Sequence, residues 1–373
     1  AFVTNSQAIL NSYSPWRPSA SVTESGMRIT ELENSELTYE KKHEFNVGID
    51  LGFLKNRLNL AADYYRRNNF DLIGVINTQG AGGTIAKYAN IASMKSSGIE
   101  LTISSKNMRT KDFSWNTDFI FSKTKNEITD LKSHANVLSL ISGNGFGREG
   151  YPVRGLFSIP FAGLTEDGLP TFINQDGQKT ISSFNFQEYE KLDFLKYEGP
   201  TDPTITGSFG NILTYKNLKL NVFVTYSFGN VIRLDPVFSN AYSDLDAMPK
   251  EFKNRWMKAG DENVTNIPTI VSTRMNQQYA YLNMAYNAYN YSDVRIADGG
   301  FIRLKEISLS YDLPAKVINF FRLNKLQLKL QATNLCLLYA DSKLNGQDPE
   351  FFRSGGVSTP VPKQFTFTVR LGL

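Results

Sequence analysis

Lys363-Gln364-Phe365-Thr366-Phe367-Thr368-Val369-Arg370-Leu371-Gly372-Leu373 is the stretch that decides how the chain is read. Taken in twos, Phe365, Phe367, Val369, Leu371 and Leu373 share one side, and Gln364, Thr366, Thr368, Arg370 and Gly372 the other. A period of two is that of a β-strand with one oily and one polar face. A bare edge on such a strand invites aggregation, so we expect it to pair onward and close a sheet.

The same alternation recurs upstream. Phe45, Val47, Ile49, Leu51 and Phe53 alternate with Glu44, Asn46, Gly48, Asp50 and Gly52. After a tight Leu54-Lys55-Asn56 turn, Leu58, Leu60, Ala62 and Tyr64 alternate with Asn59, Ala61, Asp63 and Tyr65. This reads as a hairpin of two long strands. A third strand sets Ile99, Leu101 and Ile103 against Glu100, Thr102 and Ser104. A fourth sets Phe113, Trp115, Phe119 and Phe121 against Ser114, Asn116, Asp118 and Ser122. A fifth, over 204–215, is weakly patterned, with Gly207 and Gly210 inside it. The sixth carries Leu218, Leu220, Val222, Val224 and Tyr226. In the seventh, Ile302 and Leu304 give way to Ile307, Leu309 and Tyr311, a change of parity at Lys305-Glu306 that predicts a β-bulge. Leu326, Leu328, Leu330 and Ala332 mark the eighth, and the terminal stretch is the ninth.

Between these strands short and long connections alternate. Leu54–Asn56, Asn107–Lys111, Lys216–Asn217 and Leu313–Asn324 are short. Asn69–Ser96, Lys125–Pro203, Gly229–Gly300 and Leu335–Pro362 are long, the third with a helix expected over Pro249–Lys258 that puts Phe252, Trp256 and Met257 on one face. A soluble sandwich carries loops of mixed length at both ends. An outer-membrane barrel has short periplasmic turns and long external loops. The expectation is therefore an all-β, antiparallel transmembrane β-barrel. Phe45, Val47, Ile49, Leu220, Val222, Phe367, Val369 and Leu371 would face lipid, and Asp50, Asp63, Glu100, Asp118 and Arg370 the lumen. Nine strands is an odd number where single-chain bacterial barrels use even ones. Residues 1–40 are thus expected as an extracellular lead-in, and 41–373 as the C-terminal part of a larger barrel whose other strands come from the same parent protein.

Bulk composition agrees without deciding. At 373 residues the chain is long enough for several domains, but large barrels run long as single units. Hydrophobic residues are 41% and charged residues 20%, as in soluble proteins, yet a barrel needs only one oily face per strand and hides from such counts. No stretch approaches the roughly 18 apolar residues of a membrane-spanning helix. The net charge of +4 comes from scattered Lys and Arg, which argues against a nucleic-acid-binding face. The single Cys336 excludes an internal disulfide.

Motifs with possible chemistry resolve into loops and walls. Gly145-Phe146-Gly147-Arg148-Glu149-Gly150 fits GxGxxG, but Tyr151-Pro152-Val153 follows where a dinucleotide site needs a helix. Asp167-Gly168 and Asn174-Gln175-Asp176-Gly177 read as turns rather than Ca²⁺ loops. His43 and His134 stand apart without Cys or HExxH context, and no GxSxG is present. Acids on polar strand faces read as a hydrated wall rather than a glycosidase pair. No catalytic residue, metal or cofactor is expected. The loop aromatics Tyr279, Tyr281, Tyr286, Tyr289 and Tyr291, with Trp256, are the candidate contacts for a ligand or a capping partner, because such rings offer a rigid face and a polar tip. Packing among themselves is the alternative reading.

Several phrases together resemble the SusC/RagA family of TonB-dependent outer-membrane transporters. They are Glu44-Phe45-Asn46-Val47-Gly48-Ile49-Asp50-Leu51-Gly52-Phe53, Asn56-Arg57-Leu58-Asn59-Leu60, Asp63-Tyr64-Tyr65, Ser97-Gly98-Ile99-Glu100-Leu101 and Phe113-Ser114-Trp115. Arg255-Trp256 before Gly260-Asp261, Phe301-Ile302-Arg303-Leu304-Lys305, Thr333-Asn334-Leu335 and Asp348-Pro349-Glu350 continue the set. The resemblance implies a plugged barrel of about 22 strands, a TonB-coupled plug supplied by other residues, and a SusD-like lipoprotein lid. It implies import of glycans or peptides in Bacteroidetes. One departure is the final Leu373, where the family usually ends in an aromatic residue. A SusC-like barrel serving as a non-transporting scaffold in a larger outer-membrane complex is the alternative, and an enzyme is not expected.

Overall fold

The computed structural model describes residues 9–13, 26–31, 33–77, 80, 86–143, 147–236, 250–279, 281–320, 323–352 and 362–372. Nine strands among them make one antiparallel sheet: β1 (Lys41–Phe53), β2 (Leu58–Asn77), β3 (Ala86–Arg109), β4 (Phe113–Leu131) and β5 (Ile205–Tyr215), then β6 (Leu218–Phe228), β7 (Phe301–Asp312), β8 (Lys325–Ala340) and β9 (Gln364–Gly372). Each strand pairs with its neighbours in sequence order. All short turns therefore lie at one end and all long connections at the other.

The register carries a single oily face across the sheet. One row runs Leu51, Leu60, Ile103, Phe119, Phe209, Val224, Leu304 and Cys336. Nearer the short turns, Trp115, Leu213, Leu220, Leu309, Leu330 and Phe367 form another. These side chains stay out of any core: Phe45 is 61% exposed and Phe367 62%. The opposite face is polar, with a row of Gly48, Asp63, Glu100, Ser122, Thr206 and Ser227.

Two tyrosines lie across glycines of the next strand and so repair the packing that a bare glycine leaves in a sheet. On the polar face Tyr65 covers Gly98, where a Cβ would come within 2.5 Å of its ring. Its hydroxyl is 2.9 Å from Thr124 Oγ1, and the Arg67 guanidinium stacks 4.2 Å from its ring centroid. On the oily face Tyr226 covers Gly207 and donates to the Ile120 carbonyl at 2.9 Å. This is why the weakly patterned β5 keeps Gly207.

The expected bulge is present: the register shifts between Leu304 and Glu306 against β8, and opposite Phe223/Val224 against β6. Other expectations need correction. Asn69–Ser96 is not a long excursion, since β2 runs to Asn77 and β3 begins at Ala86. β4 and β8 likewise continue to Leu131 and Ala340. Alternation fades there while backbone pairing goes on, and apolar residues no longer mark one face: Ile91 and Ala92 are 3% exposed and Ile128 0%. Asp71, with φ 55°, sits where the β2–β3 register shifts. Residues Ile9–Tyr13 and Gly26–Glu31, expected as loop, pair as a separate antiparallel hairpin.

The terminal strand pairs with β8 only, and β1 with β2 only, so among the described residues the sheet is open rather than a closed barrel. Nine strands closed on themselves would leave a bore filled by side chains. Here the polar face instead receives residues from the long connections, as the Arg303–Asp348 pair illustrates.

Candidate functional site

The connections 132–204 and 229–300 fold together at the long-loop end. The helix α1 (Val137–Ser142) starts at Asn136, whose Oδ1 accepts from Ser139 N at 2.9 Å, and stops at Gly143 with φ 67°. It buries Val137, Leu140 and Ile141. Short strands over Gly155–Ser158, Phe161–Leu164 and Pro170–Ile173 follow. Two further helices are α2 (Thr273–Gln278) and α3 (Leu282–Asn290). Of the helix expected over Pro249–Lys258, the described residues from Lys250 onward show only a 3-10 turn at Lys250–Asn254. Phe252 is buried and Met257 is 63% exposed, so the two do not share a face as expected.

The shared core holds Val137, Leu140, Phe157, Phe172, Ala288 and Tyr289. Phe161 touches Phe172 and Tyr289 edge-on, each at 5.9 Å between centroids, the arrangement that ring quadrupoles favour. Burial pushes the Tyr289 phenol up to about 12.

Buried arginines join segments far apart in sequence. Arg233 donates to the Phe157 carbonyl (2.6 Å), Ser158 Oγ (3.2 Å) and the Ser292 carbonyl (3.3 Å). Arg295 donates to Glu251 Oε1 (2.7 Å) and the Asp235 carbonyl (2.6 Å). Arg303 on β7 reaches Asp348 Oδ1 (2.5 Å) and Glu350 Oε2 (3.2 Å) in the connection between β8 and β9. Five donors in a fixed fork suit such cross-linking of carbonyls and carboxylates.

Where this unit meets the polar face it leaves a cavity of about 810 Å³. Thr206, Thr225 and Ser227 line its wall, and Arg154, Asn230 and Glu350 its loop side. Lys305 enters it because the bulge adds one residue to β7 and sends that residue inward. Asn230 is 8% exposed, and its Oδ1 has no hydrogen-bond partner among the described residues. Hydroxyls, an amide and cations around a wet space suit a polar oligomer held by hydrogen bonds; they do not make a nucleophile–base pair. Nearby, burial raises the Glu198 carboxyl above its ordinary range, against the pull of Lys196.

The predicted aromatic contacts separate. Tyr286 and Tyr289 are each 1% exposed and belong to cores, with Tyr286 donating to the Thr269 carbonyl at 2.8 Å. Tyr279 donates to Asp167 Oδ2 at 2.9 Å. The Tyr291 ring lies 5.4 Å from the Arg233 guanidinium. Trp256 packs over Gly168 and donates to Glu262 Oε2 at 3.0 Å, and that bond holds the Glu262 carboxyl below its usual range. Tyr281 alone stands clear, 72% exposed with φ 65°.

Of the strand residues, Phe45, Val47 and Ile49 occupy the oily face with Leu220, Val222, Phe367, Val369 and Leu371. Asp50, Asp63, Glu100, Asp118 and Arg370 occupy the polar one, Asp63 directly opposite Glu100. Gly145 and Phe146 lie outside the described residues. Gly150 N donates to the Ile128 carbonyl at the top of β4, and Glu149 Oε1 accepts from Leu131 N, so this stretch caps a strand.

No family model matches the chain. It is 26% identical to the TonB-dependent receptor P3 of Formosa agariphila over 348 residues, covering 87% of this chain and 32% of that protein. It is 26% identical to the TonB-dependent receptor SusC of Bacteroides thetaiotaomicron over 360 residues, covering 91% of this chain and 32% of SusC. Among solved structures, the RagAB peptide transporter aligns with TM-score 0.75 at 23% identity, over 98% of this chain and 38% of that one. The chain spans about a third of the length of the curated relatives it matches. Sequence and fold agree with the resemblance read from the residues: the chain is similar to SusC- and RagA-type TonB-dependent outer-membrane proteins and shares the β-sheet fold of RagAB.

Proposed function

We propose that the chain forms part of the wall and the external loop unit of an importer in the bacterial outer membrane. The observation that carries this reading is the division of nine strands into an oily and a polar face, with every long connection at one end. The oily face meets lipid and the polar face lines a wet bore. Further strands of the same parent close the barrel, to about 22 in all, around a plug coupled to TonB. A SusD-like lipoprotein covers the outer end, against the loop unit from which Tyr281 projects. The cargo is an oligomer rich in hydroxyls or amides, a glycan or a peptide, passing the cavity beside Arg154 and Lys305.

The test is uptake by cells carrying the full-length protein. Deleting its gene should abolish accumulation of labelled peptides or glycans too large for general porins, and deleting the TonB-contacting segment should do the same. Unchanged uptake in both strains, with loss of a co-purifying lipoprotein, would assign a scaffold role instead.

A further inference from the structure

The short-turn end is strongly basic. Segments 54–57, 106–112, 215–219 and 312–325 hold ten of the 40 Lys and Arg but only two of the 36 carboxylates, Asp112 and Asp312, which leaves 30 against 34 elsewhere. Among the described residues none of these cations forms an ion pair. Toward the other end Lys41 pairs with Asp71, Arg67 with Glu44 and Lys95 with Glu127. Concentrated positive charge without counter-charge attracts an anionic surface.

Just inside two of these turns, the oily face carries a connected polar network. A bulge between Lys106 and Met108 frees Asn107 from the ladder. Its Oδ1 accepts from Ser105 Oγ (2.7 Å), and its Nδ2 donates to Thr117 Oγ1 (2.6 Å). Thr117 Oγ1 and Trp115 Nε1 both donate to Asn211 Oδ1 at 2.8 Å. The Asn211 amide protons then have no acceptor among the described residues. An amide donor facing hydrocarbon is costly unless an acceptor reaches it.

The surroundings show what reaches it. Trp115, Tyr215 and Tyr311 are 40%, 55% and 42% exposed near this rim, as aromatic residues are at a membrane–water boundary. The turns holding Lys111 and Lys216 touch, Lys216 N donating to the Asp112 carbonyl at 2.7 Å. The Lys216 ammonium lies 5.4 Å from the Tyr215 ring centroid and so stands on the oily side. Asn211 is four residues from Tyr215, roughly 13 Å along the strand, a gap bridged in series by an ammonium–phosphate contact, the short phosphate-to-ester span of a lipid and an amide–ester hydrogen bond.

We infer that this corner binds an anionic phospholipid of the leaflet bordering the short turns. Lys111 and Lys216 hold the phosphodiester headgroup, and the Asn211 amide donates to an ester oxygen. The acyl chains run beyond Asn211 along Phe209, Val224 and Leu304. An acidic protein would answer the cations but not the amide and oily face above them. The inference rests on the membrane reading of the oily face.

The test is native mass spectrometry of the full-length protein released from nanodiscs of phosphatidylethanolamine mixed with phosphatidylglycerol. The wild type should retain phosphatidylglycerol over phosphatidylethanolamine, and each lysine should contribute about fivefold. K111Q/K216Q should fall to the bulk lipid ratio. N211L should lose severalfold of the retention with its cations intact. Retention at the bulk ratio by the wild type, or an undiminished preference in K111Q/K216Q, would overturn the site. So would salt-sensitive capture of an acidic periplasmic protein through the two lysines in place of lipid. Failure of the wild type to insert would refute the barrel reading itself, whereas insertion without preference refutes only this site.

Discussion

At the scale of single residues, Arg303 ties a strand to a loop. Its side chain is 4% exposed and that of Asp348 7%, so removing the arginine strands a carboxylate out of water. Breaking such a pair costs about 3–5 kcal/mol. R303A should therefore make the connection between β8 and β9 cleavable in limited proteolysis while β1–β6 stay protected; unchanged protection would show the pair to be incidental. Glu198 makes a prediction with the opposite sign. Burial raises its folded-state pKa, so the folded chain binds more protons than the unfolded one in the window just above the ordinary carboxylate value. Stability falls as pH rises through that window and is highest below it. E198Q should raise Tm at neutral pH and flatten the Tm–pH profile above pH 4.5, which thermal unfolding of full-length protein at several pH values measures. Neither role was legible in sequence. Arg303 was visible as part of a phrase, but Asp348 lies 45 residues away. The loop tyrosines looked like ligand platforms because sequence does not say which of five rings point inward.

At the scale of elements, the strand faces were readable and the strand ends were not. Alternation reports two faces with different surroundings, and it stops toward the long-connection end, where Ile91, Ala92 and Ile128 are buried, although β2, β3, β4 and β8 continue. The short strands of the loop unit were missed for a related reason. Gly155–Ser158 is buried at all four positions, so it has no polar face to alternate with. The bulge at Lys305 was found because a change of parity is itself a periodic signal. Membrane contact along the oily face gives the prediction at this scale. V224R should destabilise the assembled protein by about 2–4 kcal/mol near the bilayer midplane, and L220R, nearer the rim, by less. K219Q, on the opposite face of the same strand, should cost little. Heat-modified mobility and urea titration of the variants in bilayers check this, and equal costs on both faces would reverse the assignment.

At the scale of the whole molecule, meander order and the end at which each connection lies followed from sequence, because alternating loop lengths permit few other arrangements. Closure did not, because strand count and pairing of the margins are set by residues beyond any local pattern. The unequal strands have a geometric result. β3 has 24 residues and β9 has 9, a difference of 15 that at about 3.3 Å per residue amounts to some 50 Å of backbone before tilt. The parapet of this wall slopes steeply, tall beside the β2–β3 hairpin and low at β9. For the importer proposed above, a large solute arriving from outside would meet a ramp there and enter from the flank instead of dropping straight down the axis.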